Sequence, residues 1–115
     1  MEVELYHTEI GLPSNVELPS GVFNLTYSNH AKRASYDDRY GQMSLPDTLD
    51  IDNAKLIEIE VENNEVTKGV YRTKYDDDLD LIVVMIPHKS FVKTVWFNKN
   101  TDTHNTLQAW KYSRP

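Results

Sequence analysis

The chain has no cysteine, which excludes a disulfide framework and a thiolate metal site. Glycine is scarce, at 4 of 115 positions, and neither a glycine-rich phosphate loop nor a G-x-S-x-G elbow occurs. Proline is also sparse, at 5 positions, which argues against wholesale disorder. Long hydrophobic runs are missing. The longest, Leu81 to Ile86, is far shorter than the ~20 apolar residues that span a bilayer. The opening run MEVELYHTEI is acidic and lacks the cationic and apolar regions of a secretory signal. No membrane partner and a cytoplasmic setting are expected. The four histidines, His7, His30, His88 and His104, have no metal-ligand spacing, so neither a metal nor a cofactor is expected.

What remains is an ordinary globular composition, 39% hydrophobic and 26% charged, in a length that holds one core. A single domain over 1–115 is expected: an N-terminal arm or edge strand (1–21), a core (22–98) and a tail (99–115). Net charge is −6, which argues against tight nonspecific binding to nucleic acid. The charges are uneven. Residues 41–65 hold seven acids and one base, whereas residues 66–75 hold three bases and no acid. A local basic surface is therefore compatible with an acidic total, although such cations are as readily solvated strand faces and turns.

Residues 2–7 fit an edge strand, and the paired Leu-Pro-Ser units of 11–20 favour an extended arm or loop. GVFNLTY (21–27) alternates as one strand. Ser28 or Asn29 is a natural N-cap for a helix running to about Tyr40, with Gly41 just past its end. Residues 42–53 read as a loop with a short helical turn. KLIEIEVE (55–62) alternates, with Ile57, Ile59 and Val61 on one face and Glu58, Glu60 and Glu62 on the other. Asn63-Asn64 is a hairpin turn, since Asn tolerates positive φ. Strands follow at 65–75, 79–86 and 90–98, joined by short turns. The predicted class is α+β, with one main helix packed on a four- to five-stranded antiparallel meander.

Tyr27-Ser28, then His30-Ala31 and Arg33, a polar linker, and a meander containing YRTKY and VKTVWFN form a pattern that resembles a known family. It is similar to small RelE-like and BrnT-like toxin domains, closest to their phage and bacterial "HAxxR" relatives, over roughly residues 22–98. The resemblance implies a RelE-like fold, metal-independent RNA cleavage and pairing with an antitoxin. It places His30 and Arg33 on the motif's helix, Arg72 and Lys74 at phosphate-binding strand positions, and Thr94 and Trp96 beside the cleft. His104, with Tyr112, falls where a late acid or base is often kept. The net charge of −6 departs from the family, whose active members are usually basic.

Cleaving RNA without a metal needs a base, an acid and cations on the phosphate. His30 and His104 suit the proton-transfer roles. Arg33, Arg72 and Lys74 suit phosphate. Each residue also has a plain structural use. His30 can hydrogen-bond within the first helical turn. Arg33 can lay its stem on Tyr36 or Trp96. Arg72 and Lys74 can face the Asp76–Asp78 turn or the Glu58–Glu62 strand as cross-strand pairs. The run from Asp76 to Asp80 lacks the central Gly and distal Glu of a calcium loop.

Two functions stand against each other at this point. One is an RNA-binding protein or candidate endoribonuclease of the RelE/BrnT type, phage-encoded or bacterial, with catalytic His30 and His104. The other is a non-catalytic module that binds an antitoxin or host protein as inhibitor, adaptor or acidic mimic.

Overall fold

The computed structural model describes residues 3–7, as a strand only, and 17–101. His104 and the anchors expected in the tail lie outside the described residues, as does most of the expected N-terminal arm. In chain order the elements are β1 (Val3–His7), β2 (Val22–Asn24), β3 (Thr26–Tyr27), α1 (Asn29–Asp37), β4 (Thr48–Asp50), β5 (Lys55–Glu62), β6 (Glu65–Lys74), β7 (Leu79–Ile86) and β8 (Phe91–Lys99). 3-10 turns occupy Ile51–Asn53 and Pro87–Lys89.

The architecture is α+β, with one helix packed on a sheet. The sheet is wider than expected and not wholly antiparallel. Six strands run in the order β1-β5-β6-β7-β8-β3, and β2 and β4 pair separately as a small second sheet. β5 to β8 form the antiparallel meander. β3 closes part of one edge by running parallel to β8. The stretch 21–27 is thus two strands in two sheets, divided at Leu25, whose N–H bonds the Asp47 carbonyl at 2.8 Å. The loop expected at 42–53 supplies β4, together with Met43, Leu49 and Ile51 to the core.

Local chemistry sets the boundaries. Ser28 caps α1: its Oγ accepts from the Ala31 N–H at 2.9 Å and donates to the Lys93 carbonyl at 2.8 Å. The helix ends at Asp37, before the expected Tyr40, because Asp38 turns to other partners. Its carboxylate accepts from the Phe97 N–H on β8 and from the Tyr40 N–H, both at 3.0 Å. An acid thereby covers a backbone donor on an edge that would otherwise invite another strand. The Asn63-Asn64 turn has φ of 56° and 65°, as the hairpin requires. Asp76 Oδ1 accepts from the N–H groups of Asp78 and Leu79, holding the next turn with a carboxylate.

The two faces of the sheet are distinct. Tyr71, Leu81, Val83, Met85, Val92, Val95 and Phe97 join Ala31 of α1 in the main core. Ile57, Val70, Ile82 and Val84, with Trp96, cluster on the opposite face. Strict alternation in β5 fails. The register skips between Leu56 and Glu58, so Ile57 and Glu58 share the far face while Leu56 and Ile59 turn to the helix face. A second skip in the same pairing leaves Thr67 extra on β6, and Val66 packs with Ile59 and Val61 rather than with Val70.

Gly69 has a packing role on β6. A Cβ there would meet the Tyr71 ring at 2.6–2.9 Å, and that ring is buried at 2% exposure and cannot swing away. Gly69→Ala is therefore expected to cost about 1–3 kcal/mol in urea unfolding. The buried Tyr71 hydroxyl has no hydrogen-bond partner among the described residues, and burial pushes its pKa up to about 12. Tyr71→Phe is expected to be neutral or stabilising by up to about 1 kcal/mol, because it removes a desolvated polar atom. A loss above about 1 kcal/mol would show that the hydroxyl is satisfied.

Candidate functional site

α1 is short and its core-facing side is made of small residues. Ala31 and Ser35 are buried against the sheet, and Ala34 is partly buried. The rest of the helix follows from that placement. His30, Lys32, Arg33 and Tyr36 all point to solvent, Tyr36 at 66% exposure. The arginine stands three positions after His30, whereas the "HAxxR" spacing calls for four, a place held by Ala34.

Arg72 lies on the other side of the sheet. Its strand neighbour Tyr71 enters the helix-side core, so Arg72 turns to the far face, opposite Ile82 in register. There it is 7% exposed. Its Nε donates to Asp80 Oδ2 at 2.5 Å and its Nη2 to the Lys99 carbonyl at 2.9 Å. These charge-assisted bonds tie β6, β7 and the end of β8 together and commit the guanidinium to the fold. Thr94 and Trp96 share this face through their pairing with Val84 and Ile82, and Trp96 packs into the apolar cluster. Lys74 is exposed at the strand end, with its Nζ 3.9 Å from Asp77 Oδ1.

The residues expected to form one site therefore separate into groups. His30 and Arg33 sit on the outer side of α1. Arg72, Thr94 and Trp96 belong to the far face. Lys74 stands in solvent, and His104 is outside the described residues. The layers between His30 and Arg72 are aliphatic: Leu81, Val83 and Val95 on the helix side, then Ile82 and Val84 beyond. Three clefts of about 520, 630 and 520 Å³ open on the described surface. His30, Arg33, Arg72, Thr94 and Trp96 line none of these three. Lys74 lines the second, beside Tyr75, Thr73 and Asp50. No group of three or more His, Asp or Glu side chains placed to hold a metal occurs among the described residues.

Two acids carry structural weight that periodicity concealed. Asp38 is the edge cap already described. Glu58 looks solvent-facing in an alternating strand, yet the bulge at Ile57 leaves it 1% exposed. Burial pushes its carboxyl up to about 7, Lys68 partly opposes this, and Glu60 adds to it. Lys68 in turn is 3.3 Å from Glu60 Oε2, and Thr67 Oγ1 donates to Glu60 Oε1 at 3.2 Å.

Charge is segregated by the topology. Residues 22–36 and 81–101 carry five cations, Lys32, Arg33, Lys89, Lys93 and Lys99, and no acid. These two stretches lie side by side, because β3 pairs with β8 and the Ser28 N–H bonds the Val92 carbonyl at 2.9 Å. The other described residues from 17 onward carry fourteen acids against five bases, a net of −9. No described helix is long and apolar enough to cross a membrane. Compared with protein-family models, curated proteins and solved structures, the chain matches none.

Glu58 makes stability depend on pH. Its folded pKa of about 7 exceeds its ordinary 4.5, so the native state holds more protons between those values. Stability should then fall as pH rises from about 4.5 and level off above about 7, by a total of roughly 3 kcal/mol. Glu58→Gln should remove that slope and be the more stable protein at pH 8. Parallel urea midpoints of the two proteins from pH 4.5 to 8 would contradict this assignment.

Proposed function

We propose that the chain is a non-catalytic protein-interaction module rather than a ribonuclease. The observation that carries this reading is the sheet between His30 and Arg33 on one side and Arg72 on the other. A proton-transfer group must come within about 3 Å of the atom it serves, directly or through one water. A phosphate held by Arg72 could not be reached by His30 through two apolar layers. The Arg72 donors are also engaged within the fold, as a structural ion pair requires and a phosphate clamp does not.

A second observation supports an interaction role. The chain is acidic in total but gathers five cations and no acid into residues 22–36 and 81–101, which lie side by side. Surfaces of this kind steer and orient partners more than they perform chemistry. The fold supplies what such a module needs: a rigid sheet, one exposed helix face, and an edge that is capped against unwanted strand pairing.

Incubating purified protein with a mixed-sequence RNA, without divalent ions, tests the reading. No cleavage above buffer is expected. His30→Ala should leave stability within about 0.5 kcal/mol, as for an exposed side chain. Arg72→Ala should cost about 3 kcal/mol or more, since it leaves Asp80 without its buried partner. RNA cleavage by the wild type that His30→Ala abolishes would overturn the proposal.

A further inference from the structure

Cations elsewhere in the described chain have partners. Arg72 pairs with Asp80, Lys68 with Glu60 and Lys74 with Asp77. Arg39 and Lys99 sit over the Tyr40 ring, at 4.8 and 5.9 Å from its centre. Lys32, Arg33, Lys89 and Lys93 differ: all four are exposed, and none has an ion pair among the described residues. Lys32 and Arg33 lie on α1, whose one acid is Asp37 at its end, and Lys89 and Lys93 flank the start of β8 in the stretch 81–101, which holds no acid. In a protein with 18 acids and 12 bases, four exposed cations left without an ion pair among the described residues call for an external one.

We infer that this α1–β8 edge is a docking surface for a short acidic segment of a partner protein. The inference rests on the interaction reading above and names its surface and partner chemistry. The nine residues of α1 span ~13 Å, and Phe91 to Lys93 on β8 span ~10 Å. That patch matches one or two turns of helix, or a few extended residues, bearing several carboxylates. Tyr36, at 66% exposure beside Lys32 and Arg33, offers the amphipathic anchor that such contacts favour. Strand addition is not the mode on this edge. β3 occupies its start, Ser28 Oγ takes the Lys93 carbonyl, and Asp38 takes the Phe97 N–H. The partner's side chains, not its backbone, must therefore make the contact. A long nucleic acid fits less well, because a polyanion extending past the patch meets the remaining described surface at a net of −9.

The test uses fluorescence anisotropy with the whole chain and two labelled probes: a ten-residue peptide of alternating Glu and Leu, and a ten-nucleotide oligouridylate. Arg33→Glu and Lys74→Glu make the same change of charge on and off the edge. In 50 mM salt the wild type should bind the peptide, and 200 mM salt should weaken it. Arg33→Glu should weaken it about fivefold or more, and Lys74→Glu less than about twofold. The oligouridylate should bind at least about tenfold more weakly than the peptide and remain intact. Absence of peptide binding, or equal weakening by both variants, would overturn the inference while leaving the interaction reading standing. Tighter binding of the oligouridylate would overturn it in favour of a nucleic-acid surface. Cleavage of the oligouridylate would instead overturn the interaction reading itself.

Discussion

The occlusion of β7 on both faces is the constraint from which the rest follows. Five consecutive side chains, Leu81 to Met85, are at most 2% exposed. Leu81, Val83 and Met85 face the core that α1 completes, and Ile82 and Val84 face away from it. Burying each such side chain is worth about 1.5–3 kcal/mol, so no modest rearrangement opens a path through this layer. His30 and Arg33 are assigned to one side of it and Arg72 to the other. The helix cations can act only outward on one side, and Arg72 only within the network on the other.

That division explains how an acidic chain can carry a basic surface. β7 and β8 lack acids except at Asp80, which Arg72 takes, so the cations on and just before β8 meet no other acid on their own strand or on β7. The acids concentrate in β4 and the turn after it, in β5, and in the Asp76–Asp78 turn. There they cap and brace. Asp50 accepts from the Asp52 N–H and the Asn53 amide, and Asp76 organises its own turn. Where charge holds the fold it is paired or hydrogen-bonded. Lys32, Arg33, Lys89 and Lys93, exposed and without an ion pair among the described residues, lie on α1 and about the start of β8.

Much of this was legible in the sequence, and the failures share one cause. The strand over 79–86, the helix start at Ser28 and the turn at Asn63-Asn64 were legible because each signal is local. The α+β class followed from element order. The bulges at Ile57 and Thr67 could not be read, because each depends on a partner strand's register; a single extra residue inverts the face of everything beyond it. For that reason Glu58, which alternation sets on the face opposite Ile57, is buried beside it on the far face. The helix end was misjudged because Asp38 finds its partner 59 residues away, at the Phe97 N–H. The expected convergence of His30 with Arg72 failed on the same ground. Strand parity decides which face Arg72 occupies, and helix placement decides which face His30 overlooks; only the folded sheet relates the two.

A double-mutant cycle in urea unfolding tests the separation of the faces most directly. Arg33→Ala and Arg72→Met, alone and together, report whether the two guanidinium groups share an environment. With the β7 layer between them, their effects should add within about 0.5 kcal/mol. A coupling above about 1 kcal/mol would mean that they meet in one pocket, and the two-sided account of this protein would be wrong.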